Sequence, residues 1–384
     1  MRVPSHQVMQ KKHLFLYLKT GGGHLAPARS IANYIKVKHG DKITPVLADG
    51  FQGVNKWIRY FIEDGYRFSQ SKAVWIFESL YAINKIRWMG NGLITFLSFC
   101  IRSQLEKQIL ANIPSKIVIF HFFLIKPVLQ ILKKNKLEIP VTVVVTDPFT
   151  AHPFWFLEKS PKFIVFSEKL KDHSIKKGIH ADNVSVFPFI LDDKFTRPLN
   201  PLLSHSIKRN LGFDTSKKLV LILGGGDGIP KGKKILKNFL KNNSGAQIAI
   251  VCGNNRSLYK KAWKLKSKYN SSYLKIYGYV DFVYELISIA DVVVTKCGAS
   301  TFMEILMSGK IPVISNYIWE QEKGNMEFVR DNFLGLYEKK TSVLPNRVNE
   351  IIYNPHIAQL YKTNIEIMSL KNGTPLVSDF IASQ

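Results

Sequence analysis

The chain has 384 residues, 46% of them hydrophobic and 12% aromatic, and a formal net charge of +26. This hydrophobic content excludes a disordered chain and suffices for two cores, so two domains of roughly 200 residues each are expected. The charge predicts either an anionic partner or a solvated, lysine-rich surface. No RNA-binding aromatic motif, zinc finger or helix-turn-helix pattern accompanies it, so a nucleic-acid partner is not expected.

The cysteine and hydropathy patterns predict where the protein works. Cys100, Cys252 and Cys297 lie far apart, without the spacing of a disulfide framework or a metal site, which is typical of a reducing compartment. The longest apolar run, residues 92–101, is much shorter than the roughly 18 residues of a membrane span. We therefore expect a cytoplasmic protein without a membrane-spanning segment and without a metal site.

Apolar, β-branched runs alternate with helix-length segments along the chain. Continuous apolar runs are typical of parallel strands covered on both faces, so this order predicts doubly wound α/β domains. The predicted strands form two series. The first comprises residues 13–18, 116–120, 141–146, 162–167 and 184–187, and the second comprises residues 218–223, 247–252, 273–278, 291–295 and 311–315.

A stretch rich in proline and polar residues, 191–206, separates the two series of strands. It predicts a linker, and we place the domain boundary there, giving domains 1–195 and 196–384. The last helix is a candidate to return to the first domain. Ligands are expected at the carboxyl ends of the parallel strands, as in other doubly wound sheets.

Three glycine-rich loops follow predicted strands and begin predicted helices, at residues 19–35, 223–236 and 296–306. Glycine lets backbone N–H groups approach an oxyanion, and the helix N-terminus adds positive potential, so each loop is a candidate phosphate site. None of them ends in Gly-Lys-Ser/Thr, and none reads G-x-G-x-x-G. A nucleoside triphosphatase or a simple dinucleotide site is therefore not predicted.

Several motifs, taken together and in order, resemble those of glycosyltransferase family 28. The resemblance is to its diacylglycerol glycosyltransferase branch, the monogalactosyl- and glucosyl-diacylglycerol synthases, with the peptidoglycan N-acetylglucosaminyl transferase as a more distant relative. The motifs are GGGHLAPA at Gly21–Ala28, VVTDPFTAHPFWF at Val144–Phe156, GGGDG at Gly224–Gly228, VCGNN at Val251–Asn255, YGYV at Tyr277–Val280 and the glycine-to-amide stretch at Thr295–Asn325.

The resemblance implies a GT-B fold, two tandem doubly wound parallel-sheet (Rossmann-like) domains facing a cleft. It implies inverting transfer of a hexose from a UDP-sugar to a membrane lipid hydroxyl, with 1,2-diacylglycerol as the expected acceptor and a β-glycolipid as product. The N-terminal domain would bind the acceptor and the membrane, and the C-terminal domain the UDP-sugar. No cofactor is expected beyond the UDP-sugar as co-substrate, and the enzyme would be peripheral on the cytoplasmic face of an anionic membrane.

The resemblance also implies roles for individual residues. His24 would be the general base that removes the acceptor hydroxyl proton, a task suited to the unperturbed pKa of histidine. Glu304 would accept hydrogen bonds from the ribose hydroxyls. The YGYV motif would meet uracil through main-chain groups, and Glu320, Gln321, Glu322 and Asn325 would meet the sugar hydroxyls. The predicted donor-binding set is Gly22, Gly23, Gly224, Gly225, Gly226, Asp227, Gly278, Tyr279, Val280, Gly298, Ser300, Thr301, Glu304, Glu320, Gln321, Glu322 and Asn325. The predicted acceptor-side set is Asp147, His152 and Trp155.

Residues 57–99 carry a second signal, because aromatic residues, including three of the six tryptophans, are interleaved there with Lys and Arg. Such a segment suits a membrane interface, and the alternative is packing in the core or acceptor pocket. The chain departs from the family pattern at Phe187, which precedes Pro188 where relatives tend to carry glycine. That departure leaves acceptor specificity open.

Other functions remain open at this stage. One is transfer of N-acetylglucosamine from UDP-GlcNAc to another lipid-linked acceptor, and another is a non-catalytic nucleotide-sugar-binding protein. A basic α/β protein that binds nucleic acid would show a steep salt dependence and no UDP binding. The sugar itself is not readable from the sequence, since epimers differ by one hydroxyl orientation.

Overall fold

A computed structural model of the chain describes residues 10–19, 22–57, 59, 87–196, 199–242, 244–318 and 321–383. The chain divides into two compact units, Met1–Ile190 with Gly373–Gln384, and Leu191–Asn372. The division thus falls after residue 190, whereas the sequence analysis places it after residue 195. The last helix belongs to the first unit.

The first unit is built on a six-stranded parallel sheet. Its strands are β1 (Lys11–Tyr17), β2 (Ile43–Asp49), β3 (Lys116–Ile119), β4 (Val141–Val144), β5 (Lys162–Val165) and β6 (Val184–Val186). The spatial order is β2-β1-β3-β4-β5-β6. The described helices that accompany these strands are α1 (Gly22–Lys38), α2 (Arg87–Asn112), α3 (Ile125–Lys134) and α4 (Glu168–Lys176).

The second unit contains a second six-stranded parallel sheet. Its strands are β7 (Leu219–Leu223), β8 (Gln247–Val251), β9 (Leu274–Tyr277), β10 (Val292–Lys296), β11 (Ile311–Asn316) and β12 (Leu336–Tyr337), in the order β12-β11-β10-β7-β8-β9. The helices are α5 (Pro201–Asn210), α6 (Gly232–Asn242), α7 (Arg256–Lys268), α8 (Val283–Ile289), α9 (Ala299–Met307), α10 (Lys323–Asp331), α11 (Leu344–Tyr353) and α12 (Pro355–Ile367). The chain ends with α13 (Thr374–Ser383), which returns to the first unit.

All ten strands predicted from apolar runs are present, and the prediction of doubly wound α/β domains is confirmed. Every residue of β3, β7 and β8 is buried, as expected for strands covered on both faces. Two strands escaped prediction. In β2, Thr44 and Pro45 interrupt the apolar pattern, and Pro45 is tolerated because β2 lies at the sheet edge. The other, β12, has only two residues.

The last helix, α13, packs against α1 in the first unit. Lys116 of β3 is buried and donates from Nζ to the carbonyl oxygen of Ile381 at 2.7 Å, and Asp379 accepts from Lys38 at 2.8 Å. Burial lowers the pKa of Lys116 to about 8. Since the last carbonyl groups of a helix lack intrahelical partners, a lysine at this end satisfies one of them.

Each sheet has one point at which the strand order reverses direction. In the first sheet it lies between β1 and β3, and in the second between β7 and β10. Connections leave these adjacent strands toward opposite sides, so a crevice opens beyond their carboxyl ends, where doubly wound proteins bind ligands. Within the described residues, no helix is both long enough and apolar enough to cross a bilayer.

Candidate active site

Three histidines follow three neighbouring strands of the first sheet. His24 lies in the first turn of α1 after β1, His121 follows β3, and His152 comes after β4. The rings of His24 and His121 have centroids 4.5 Å apart, and His24 Nδ1 lies 3.0 Å from Thr146 Oγ1. The predicted base therefore stands at the carboxyl edge of this sheet, beside a second imidazole that the sequence analysis did not select.

His121 and His152 are held by the same local device. Each precedes a short 3₁₀ helix, and its Nδ1 accepts the backbone N–H two residues later, from Phe123 and Phe154 respectively, at 3.2 Å. A neutral imidazole that accepts at Nδ1 carries its proton on Nε2. Both rings thus keep an Nε2–H donor. The Phe122 ring stacks on the His152 ring, with their centroids 5.3 Å apart.

Burial keeps these three imidazoles neutral. It lowers the pKa of His24 to about 4, against a smaller opposing effect from a hydrogen bond with the backbone of Phe120. Burial also lowers the pKa of His152 to about 3 and that of His121 well below its usual value. A base must be unprotonated before it can take a proton, and His24 meets that condition throughout the neutral range. The unperturbed pKa expected for a histidine from its residue type therefore does not hold for His24.

The lowered pKa values of these three histidines predict an acid-sensitive fold. In the unfolded chain each binds a proton near pH 6.5, but in the folded protein His24 does so only near pH 4 and His152 near pH 3, and the pKa of His121 is also well below its usual value, so the unfolded state binds more protons in between. The free energy of unfolding should fall as pH drops from about 7 toward 4, by on the order of 1 to 3 kcal/mol each for His24 and His152.

Denaturant unfolding at a series of pH values measures this effect. His121→Gln should flatten the slope below pH 7, because one buried imidazole is gone. His205→Gln, on an exposed position of α5, is the matched control and should leave the slope as in the wild type. An identical slope in wild type and His121→Gln would contradict the assignment.

The acceptor-side residues Asp147 and Trp155 form a buried pair. Trp155 Nε1 donates to Asp147 Oδ2 at 3.0 Å, and the indole is completely buried with its centroid 6.4 Å from that of His24. The structure therefore places Trp155 near His24 and pairs it with Asp147 as packed groups. Their roles toward an acceptor stay predictions.

In the second unit, the loops after β7 and β10 touch each other. A Cβ on Gly225 would lie 3.6 Å from Thr301 Oγ1, and Gly225 has a φ of +75°, which glycine adopts without strain. Asn254 N donates to Gly226 O at 2.7 Å, so the same loop is fixed from the β8 side. The predicted donor residues Gly224, Gly225, Gly226, Asp227, Gly298, Ser300 and Thr301 thus gather at the point where the strand order reverses.

The N-terminus of α9 is suited to an anion. Gly298 occupies the N-cap position, and no side chain caps the first turn, which also contains Ser300 and Thr301. The first N–H groups of a helix have no intrahelical acceptor and lie at the positive end of the helix dipole. A phosphate group would satisfy them.

Glu304 lies one turn further along α9. It is half-buried near the segment 192–196 at the start of the unit, and burial raises its pKa to about 7, with Lys194 opposing the shift and Asp192 adding to it. The carboxyl group therefore titrates near neutral pH. The contact with ribose implied by the family resemblance remains a prediction.

The predicted sugar-binding loop is only partly described, because Glu320 lies outside the described residues. Glu322 is buried; its Oε2 accepts from Ile318 N at 2.8 Å, and its Oε1 lies 3.5 Å from Lys296 Nζ. Asn325 is fully buried and donates from Nδ2 to Cys297 O at 3.0 Å. These contacts tie the loop after β11 to the loop after β10. Gln321 is also buried, and Oδ1 of Asn325 has no hydrogen-bond partner among the residues that the structure describes.

A cavity of about 330 Å³ opens at the carboxyl ends of β8 and β9. It contains Gly278 and Tyr279 of the YGYV motif, which the resemblance implies would meet uracil, and Tyr279 is 71% exposed. The remaining lining residues are Gly253, Asn254, Arg256 and Tyr259. Asn254 of the VCGNN motif and Arg256 were not predicted as donor-binding residues. The cap that Asn255 forms on the helix beginning at Arg256 was the signal that could have indicated them. Of the remaining predicted donor-binding residues, Val280 follows Tyr279 in the chain, and Gly22 and Gly23 are the first two residues of α1.

Two doubly wound units, each with glycine-rich turns where its strand order reverses, are the architecture of the GT-B fold. Solved structures share this fold. HepE from Anabaena, determined in complex with UDP and glucose, has a TM-score of 0.62 and 14% identity, covering 97% of this chain and 99% of that one. MurG from Acinetobacter baumannii has a TM-score of 0.59 and 15% identity, covering 97% and 100%.

The family follows from sequence comparison. The model of monogalactosyldiacylglycerol (MGDG) synthase matches residues 24–188, and that of the glycosyltransferase family 28 C-terminal domain matches residues 219–364. Monogalactosyldiacylglycerol synthase 2 of Arabidopsis thaliana is 25% identical over 353 residues, 88% of this chain and 73% of that protein. The synthase of Spinacia oleracea is 26% identical over 362 residues, which cover 91% of this chain and 68% of that protein. The chain belongs to glycosyltransferase family 28, in its diacylglycerol glycosyltransferase branch, and is a glycosyltransferase.

Proposed function

We propose that the protein transfers a hexose, with inversion, from a UDP-sugar to the free hydroxyl of 1,2-diacylglycerol and forms a β-glycolipid. The proposal is based on one observation, that the His24 imidazole is neutral and lies at the carboxyl end of β1. The names of the related synthases, which specify galactose and diacylglycerol, support this sugar class and this acceptor. The solved HepE complex supports UDP as the carrier.

The second unit would bind the donor. Its cavity beside Gly278 and Tyr279 would take the uracil, and Glu304 would bind the ribose. The diphosphate would then lie against the glycine loop after β7 and the uncapped N-terminus of α9. As the anomeric carbon leaves the diphosphate, negative charge grows on the phosphate oxygens. Backbone N–H groups that are already in place stabilise this charge at no cost of reorganisation.

The first unit would activate the acceptor. The hydroxyl oxygen attacks the anomeric carbon from the face opposite to UDP, a new C–O bond forms, and the bond to the diphosphate breaks with inversion. The hydroxyl proton passes to His24. When His24 Nδ1 donates to Thr146 Oγ1, Nε2 keeps its lone pair and is the atom that takes this proton.

We also propose that the enzyme is peripheral on the cytoplasmic face of a membrane. Of the aromatic segment 57–99, much lies outside the described residues, but Trp57, Phe96 and Phe99 expose large fractions of their side chains. Exposed rings beside basic residues suit a bilayer interface. Their exposure supports the docking of this segment rather than its burial in a core.

A direct test incubates the protein with a panel of UDP-sugars and diacylglycerol in anionic liposomes, followed by mass spectrometry and NMR of the lipids. We expect a monohexosyl diacylglycerol with a β-linkage from one UDP-hexose. UDP binding without any glycolipid would favour the non-catalytic alternative. If diacylglycerol gives no product, but UDP-GlcNAc gives one when another lipid alcohol is supplied in its place, the second transferase would be favoured.

A further inference from the structure

One segment of the second unit carries positive charge without any acidic residue. From residue 228 to residue 280 the chain contains twelve Lys and Arg residues and no Asp or Glu, although the whole chain has 28 acidic residues. The segment includes α6, β8, α7 and β9. Such a run sets up a strongly positive local field, which the mixed charges elsewhere in the chain do not.

The fold collects this charge on one surface. Helices α6 and α7 pack side by side on the second sheet and bury their apolar residues, such as Leu236 and Leu265, in one common core. The lysines of both helices lie on the opposite sides and are exposed, except for the half-buried Lys266. We call the exposed Lys and Arg side chains of residues 231–268 the basic face.

The charge of the basic face is not neutralised by ion pairs in the described part of the chain. None of its cations forms an ion pair with a residue that the structure describes. Elsewhere in the same unit, Lys323 pairs with Glu327 at 3.5 Å, and Arg347 pairs with Glu350. Helices α6 and α7 lack acidic residues, so internal i,i+4 pairs cannot form there.

An exposed tryptophan lies within the basic face. The side chain of Trp263 is 44% exposed, and Lys266 Nζ lies 5.2 Å from its ring centroid. Tryptophan among lysines is the combination found at the headgroup level of bilayers, where the indole meets the interface and the cations meet the phosphates. The cations extend along α7, a helix about 20 Å long, which fits an extended charged surface better than a single phosphate.

We propose that the basic face docks on the anionic headgroups of a phospholipid bilayer and gives the second unit its own membrane contact. The proposal rests on the proposed function, in which the acceptor is a membrane lipid. The proposal gives a function to part of the net positive charge. The basic face is a different surface from the aromatic segment 57–99 of the first unit. A lipid surface is favoured over nucleic acid because the acceptor would already lie in the same bilayer.

The test variant carries Lys234→Gln, Lys237→Gln, Lys261→Gln and Lys264→Gln, four exposed positions outside the candidate donor site. Each cation near an anionic leaflet changes the partition coefficient by about fivefold, so the vesicle affinity of the variant should fall by at least about tenfold. The matched control removes the same charge from four exposed lysines of the same unit, Lys339, Lys340, Lys362 and Lys371. It should bind nearly as the wild type does.

Sedimentation with vesicles of phosphatidylcholine, with and without phosphatidylglycerol, gives the affinities, and added salt should weaken wild-type binding through screening. The proposal would be overturned if the test and control variants lost vesicle affinity equally, or if a folded test variant kept the vesicle affinity of the wild type. Tight wild-type binding to duplex DNA, lost in the test variant without any change in vesicle binding, would also overturn it.

Two further measurements distinguish a failure of the docking proposal from a failure of the proposed enzymatic function. UDP affinity, measured by calorimetry, and transfer to diacylglycerol in neutral detergent micelles should both stay at wild-type levels in the test variant. A wild-type protein that binds anionic vesicles through the basic face but never transfers sugar would support the docking surface and refute the enzymatic proposal. Circular dichroism and thermal unfolding establish that each variant is folded.

Discussion

The His24→Ala variant is expected to transfer hexose at least about 100-fold more slowly than the wild type, with unchanged affinity for UDP. The imidazole is the group proposed to take the acceptor proton, and alanine offers no atom for that task. UDP would be bound by the second unit, to which His24 does not belong. Initial rates at saturating UDP-sugar, together with calorimetric titration of UDP, measure the two quantities.

Thr146→Val provides a graded companion to this experiment. It removes the hydroxyl 3.0 Å from His24 Nδ1 but keeps the imidazole, so the ring loses an orienting partner rather than its function. A smaller loss, on the order of tenfold, is expected. His205→Ala, at an exposed position, is the control for loss of a histidine. Wild-type turnover in His24→Ala would remove His24 from the mechanism.

The pH profile adds an independent check on the same base. Burial lowers the pKa of His24 to about 4, so the lone pair that accepts the proton is present above that pH and lost as pH falls through it. The acid limb of kcat/KM for the lipid acceptor, measured at saturating UDP-sugar so that the titration of Glu304 does not enter, should therefore lie near pH 4. An acid limb near 6.5, which disappears in His24→Ala, would mean that the imidazole is more solvated than the structure indicates.

The sequence predicted the elements whose pattern is local. Runs such as residues 219–223 are apolar at every position, and a fully covered parallel strand requires that composition. By contrast, β2 contains Thr44 and Pro45 and is a strand only because β1 pairs with its backbone. Edge strands depend on a neighbour that a local pattern does not reveal.

The same distinction holds for the candidate site. Glycines before a helix mark a turn in the sequence itself, so the loops at Gly225 and Gly298 were predictable. His121 was not, because a single histidine beside two phenylalanines resembles an ordinary core segment. Its place beside His24 arises from the pairing of β1 with β3, two strands that lie far apart in the sequence. The low pKa of His24 likewise depends on burial, which residue type does not determine.

Glu322 and Asn325 illustrate a further limit. The resemblance assigns both to the sugar, yet Glu322 accepts the Ile318 N–H and Asn325 donates to the Cys297 carbonyl. A buried polar side chain serves its nearest backbone partners first, because leaving them unpaired costs about 1 to 3 kcal/mol. These two side chains therefore hold two loops together. Only the polar atoms that these hydrogen bonds do not use are available for sugar recognition.

The Glu304→Ala variant is expected to bind UDP more weakly by about 1 to 3 kcal/mol, because the ribose hydroxyls lose a charged acceptor. The pKa of Glu304 is raised to about 7 by burial, so its carboxylate is present above pH 7 and lost as pH falls through that value. Wild-type affinity for UDP should therefore decline between about pH 8 and pH 6.

Calorimetric titrations of UDP at pH 6, 7 and 8, chosen to bracket the pKa of about 7, test both expectations together. Glu304→Ala should be weak and independent of pH in this range, because the titrating group is gone. Glu304→Gln should also be independent of pH but stronger than alanine, since its amide oxygen still accepts one hydrogen bond. Glu366→Ala, on an exposed position of α12, is the control and should follow the wild type. Unchanged UDP affinity in Glu304→Ala would refute the ribose contact, and a wild-type decline that persists in Glu304→Ala would assign the titration to another group.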